Sequence, residues 1–112
     1  MIHVSILIFA LSAILGLTIL IKWLTKKTAS KKVVYSHGIT AAIALVILIV
    51  YAFQHPNDFP KTSIILFIIA ALGGSYMFTN DLKGKYSPIA VAFVHAILAV
   101  AGFITLIGFV FL

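Results

Sequence analysis

Four long apolar runs, at about residues 2–24, 33–54, 62–80 and 88–111, are separated only by short polar connections. An α-helix rising about 1.5 Å per residue needs about twenty apolar residues to cross a hydrocarbon layer, and each run has that length. With 63% hydrophobic and 9% charged residues, the chain lacks the polar surface of a water-soluble domain. The backbone of a spanning segment must satisfy its own hydrogen bonds, and short connections place successive helices side by side. The expected fold is therefore all-α: an up-down-up-down bundle of four transmembrane helices made from two tandem hairpins. The first run starts at Ile2 with no basic residue before it and continues to Lys22, which is the length of a span and not of a secretory signal.

The connections predict the topology. Thr25 to Lys32 carries Lys26, Lys27, Lys31 and Lys32, with Ser30 placed to cap the second helix; Lys83 and Lys85 follow the third. Together with Lys22 these make seven of the eight lysines. The connection from His55 to Lys61, built on Pro56, Asn57, Asp58 and Pro60, contributes only Lys61. By the positive-inside rule the lysine-rich ends lie in the cytoplasm, with both termini outside it, as in a multi-pass inner-membrane protein. Trp23 suits the headgroup layer, and Ser87-Pro88 reads as a cap followed by proline at the first helical position. The net charge of +6 lies at span ends, so it points to lipid headgroups and away from nucleic acid. Without cysteine, disulfides, iron–sulfur clusters and thiolate metal sites are excluded.

Sliding the chain against itself by 58 residues aligns 1–54 with 59–112 without gaps, 55–58 acting as linker, and gives 14 identities over 54 positions. The shift pairs Ser5 with Ser63, Phe9 with Phe67, Gly16 with Gly74, Lys27 with Lys85 and His37 with His95. Ser12 and Gly16 match Ala70 and Gly74, a small-xxx-small pattern in both copies. Two such hairpins are expected to be related by a pseudo-twofold axis along the membrane normal.

His37 and His95 are ionisable groups inside spans, which makes them the leading functional candidates. Ala41 and Ala44 follow His37, and Ala99 and Gly102 follow His95, at i+4 and i+7, so each histidine heads an inward-facing stripe of small residues. Two neutral imidazoles at one level suit the axial ligation of one b-type haem. On this reading His37 and His95 are the metal ligands. Gly16 and Gly74, with Ala41 and Ala99, leave room for the macrocycle, while Lys31, Lys32 and Tyr35, along with Lys85, Tyr86 and Ser36, offer donors to its propionates. The competing expectation is structural: the histidines hydrogen-bond to Thr40, Ser75, Tyr76 or a backbone carbonyl and stiffen the helices. A quinone, lipid or other metal site is the third reading. His3 and His55 flank the opposite face and read as interfacial residues. There is no Ser-His-Asp set, carboxylate pair or phosphate loop, so no catalytic residue is assigned and any reaction is electron transfer.

The layout, with histidines on the second and fourth spans, resembles the four-helix membrane-anchored b-type cytochromes. That resemblance carries His37, His95, Gly16 and Gly74 and implies haem b with a quinol or a redox protein as partner. The run from Gly73 through Lys85 to His95-Ala96 is also similar to small bacterial inner-membrane proteins of unassigned role. Length and span number look like the small multidrug exporters, but those need an intramembrane carboxylate, and Asp58 and Asp81 both lie in connections. A non-enzymatic accessory subunit or small carrier, as a homo-oligomer or within a larger membrane complex, is the alternative.

Overall fold

The computed structural model describes residues 1–112 as four α-helices: α1 (Ile2–Leu24), α2 (Lys31–Gln54), α3 (Lys61–Leu82) and α4 (Ile89–Phe111). All four are long and apolar enough to cross a membrane. They pair as two close hairpins, α1 with α2 and α3 with α4, forming the compact units Met1–Phe59 and Pro60–Leu112. Helix ends recur at the shift of 58: α1 stops at Leu24 and α3 at Leu82, while α2 starts at Lys31 and α4 at Ile89.

Each hairpin closes along a seam with alternating steps of four and three residues. Ser5, Phe9, Ser12, Gly16 and Ile19 form it on α1; Ser63, Phe67, Ala70, Gly74 and Met77 repeat it on α3, all but the two glycines being buried. A mean step of 3.5 residues keeps one stripe facing the neighbouring helix, as in a coiled coil. The facing seams run from His37 to the fully buried Ala44 and Leu48 on α2, and from His95 to the buried Gly102 and Leu106 on α4. Lipid tails are as apolar as leucine, so close packing and a few interhelical hydrogen bonds hold such a pair together. Ser5 Oγ donates to the Ala44 carbonyl at 2.9 Å, and Ser63 and Thr105 share a 2.8 Å hydroxyl bond at the matching end of the second hairpin. The Phe67 ring lies on Gly102, where an added Cβ would stand 3.0 Å from it. No buried side-chain polar atom lacks a partner.

Both lysine-bearing turns begin with the same motif. The Lys27 amide donates to the Lys22 carbonyl at 2.7 Å and the Lys26 amide to Trp23; the Lys85 amide donates to Asn80 at 2.8 Å and the Gly84 amide to Asp81. This is a Schellman closure, which requires a left-handed residue after the C-cap. Gly84 supplies it with φ 69°, and Lys26 adopts it with φ 57°. The α2 cap is as expected, Ser30 Oγ accepting from the Val33 amide. The α4 start differs from the expected proline at the first helical turn: Pro88, with ψ 137°, is itself the cap position, and the Ser87 hydroxyl accepts from Asn80 Nδ2 at 3.1 Å. The same bond tethers the end of α3, which runs two residues past Asn80.

Candidate functional site: an imidazole in a glycine notch

His37 and His95 are each the seventh residue of their helix, about 9 Å from its start at 1.5 Å per residue. Gly16 and Gly74 each lie eight residues before the end of the partner helix, so antiparallel pairing brings histidine and glycine level within each hairpin.

The contact is close and nearly the same in both copies. His37 Nδ1 lies 2.8 Å from the Ser12 carbonyl, and His95 Nδ1 lies 2.7 Å from the Ala70 carbonyl. Those carbonyls stand four residues before Gly16 and Gly74, whose amides are their intrahelical donors. A side chain at the glycine would cover the flank of that carbonyl. A Cβ on Gly16 would sit 2.7 Å from His37 Cε1, and one on Gly74 3.0 Å from His95 Cε1. Glycine therefore uncovers a second approach to a helix carbonyl, and the imidazole takes it.

A carbonyl can only accept, so the proton of this bond is on Nδ1. In the neutral ring the lone pair is then on Nε2. The copies differ in one detail. Ser12 Oγ donates to the His37 carbonyl at 3.1 Å and stands 3.1 Å from His37 Nδ1, whereas Ala70 offers no hydroxyl to His95.

The space expected to admit a macrocycle edge at Gly16 and Gly74 is filled by the imidazoles of the same hairpins. Ala41 and Ala99 are half-buried one turn further along the seams, and Lys31, Lys32 and Tyr35 are exposed at the lysine-bearing end of α2. Of the partners considered for the histidines, the backbone carbonyl is the one used; Thr40 Oγ1 donates to the Ser36 and His37 carbonyls of its own helix. His55 stacks on Tyr51 with ring centroids 4.1 Å apart and places Nδ1 3.0 Å from the Tyr51 carbonyl. The notch was visible in sequence only as a glycine 21 residues ahead of a histidine, twice.

Fold and site define a multi-pass membrane protein of two helical hairpins, each holding one intramembrane imidazole on a glycine-exposed carbonyl. No known family model, curated protein or solved structure matches the chain.

Proposed function

We propose that the protein is a membrane-bound electron-transfer protein of b-type cytochrome character, in which His37 and His95 would hold a haem. The observation that supports this is the pair of Nδ1 bonds to helix carbonyls. An imidazole that is to hold the iron through Nε2 would need its lone pair there, and an Nδ1–H held by a carbonyl fixes that tautomer and ring orientation while raising the basicity of Nε2. The haem supplies one-electron chemistry when bound. The chain's own contribution is to hold two imidazoles rigid, with Gly16 and Gly74 acting as positioning residues and not as space for the macrocycle. Lysine asymmetry supports an inner-membrane location with these ends in the cytoplasm. A quinol or a small redox protein is the donor.

One feature favours a second reading, that of an accessory subunit whose histidines are clasps. Each imidazole already fills its notch and bonds within its own hairpin. Absorption spectra of protein made with ample haem distinguish the two. The haem reading predicts a Soret band that shifts, with sharp α and β bands appearing, on dithionite reduction, and loss of these bands in His37→Ala and in His95→Ala. Colourless wild-type protein, or bands unchanged in both variants, leaves the clasp reading.

A further inference from the structure

Where the two hairpins differ, the first carries a feature unrelated to the histidines. A cavity of about 530 Å³ opens at its lysine-bearing end, walled by Thr18 and Lys22 on α1, Thr28 and Ser30 on the turn, and Lys31 and Val33 on α2. The turn folds back far enough to bury Ala29 at the cavity wall. Two cations thus flank the recess, and the start of α2 adds the positive end of its dipole.

The matching positions of the second hairpin are built otherwise. Lys22 corresponds to Asn80 and Lys31 to Ile89, so no cation stands there; Thr18 corresponds to Tyr76. Asn80 donates across the turn to Ser87. Within a duplicated scaffold, the cationic recess belongs to the first copy alone.

We infer that this recess binds the phosphodiester headgroup of an anionic phospholipid, of the phosphatidylglycerol type. Charge and depth argue for a lipid. The recess sits at the end of a span, at headgroup level, and Val33 in its wall with exposed Ile21 and Leu24 at the end of α1 gives acyl chains an apolar path. Lysine is suited to this task as a mobile point charge on an apolar stem. The recess shares Lys31 with the propionate donors of the haem reading, and lipid binding to it is read without haem.

Trp23, adjacent to Lys22 and half-buried, is the chain's single tryptophan and serves as reporter. Full-length protein in an uncharged detergent is titrated with brominated phosphatidylglycerol or brominated phosphatidylcholine, and Trp23 quenching is followed. The proposal predicts half-quenching by the anionic lipid at a mole fraction roughly thirtyfold lower, the effect expected of two interfacial lysines. Lys22→Gln with Lys31→Gln removes that preference, Lys22→Arg with Lys31→Arg keeps it, and Lys83→Gln with Lys85→Gln leaves it intact. Equal quenching by the two lipids, a preference that survives the first pair, or one lost equally with the second overturns it. Displacement of the brominated lipid by inorganic phosphate at equal concentration overturns the lipid assignment in favour of a soluble anion.

Discussion

Gly16→Ala is expected to destabilise the first hairpin by roughly 2–4 kcal/mol, the overpacking cost plus a lost interhelical hydrogen bond. The new methyl would stand 2.7 Å from His37 Cε1, and the ring cannot retreat while Nδ1 remains on the Ser12 carbonyl. Either the helices part along the seam or the imidazole swings out and gives up its bond in hydrocarbon. Gly74→Ala, at 3.0 Å, follows the same course with a smaller loss of about 1–2 kcal/mol. Gly38→Ala is the control: nothing lies within 4 Å of its added methyl, so helix propensity dominates and the change is neutral or stabilising by up to about 1 kcal/mol. Unfolding in mixed micelles with increasing SDS, read by Trp23 fluorescence and far-UV circular dichroism, ranks the three. A Gly16→Ala protein as stable as wild type would show that the ring is not lodged there.

The second expectation has opposite signs at two equivalent positions. Lys26 and Gly84 occupy the left-handed site of the two Schellman turns, φ 57° and 69°. An L-residue pays about 1–2 kcal/mol for that conformation, and glycine loses part of the advantage through its greater freedom in the unfolded chain. Lys26→Gly therefore stabilises by roughly 0.5–1 kcal/mol, and Gly84→Lys destabilises by a similar amount. The same unfolding titration measures both. Equal signs for the pair would contradict the turn geometry. The lysine at position 26 keeps charge at the membrane surface at the expense of backbone strain.

Much of this was legible in the sequence because hydrocarbon leaves few choices. Four apolar runs with lysine-rich ends fixed the number of helices and their limits to within a few residues. The aligned Ser5 and Ser63, Phe9 and Phe67, and Gly16 and Gly74 gave the seam positions, since a repeat in sequence preserves the phase of each helix. What sequence could not give was the partner of each histidine. Periodicity assigns a face to His37 without saying which helix lies opposite, and a glycine gap admits a macrocycle edge or an imidazole equally well. The Ser87-Pro88 pair misled because a serine next to proline reads as a cap, while its hydroxyl is engaged by Asn80, seven residues back near the end of α3. The recess at Lys22 and Lys31 was hidden for a related reason, since boundary lysines look alike until the turn between them is folded.

The tautomer of the two imidazoles carries the account, because the notch, the carbonyl bond and the proposed ligand role all require the proton on Nδ1. Long-range proton–nitrogen correlation spectra of histidine-labelled, haem-free protein in micelles, recorded where the rings are neutral, read it directly. His37 and His95 are expected to show the Nδ1–H form with Nε2 as the lone-pair nitrogen; the Nε2–H form at either residue would contradict the site as described.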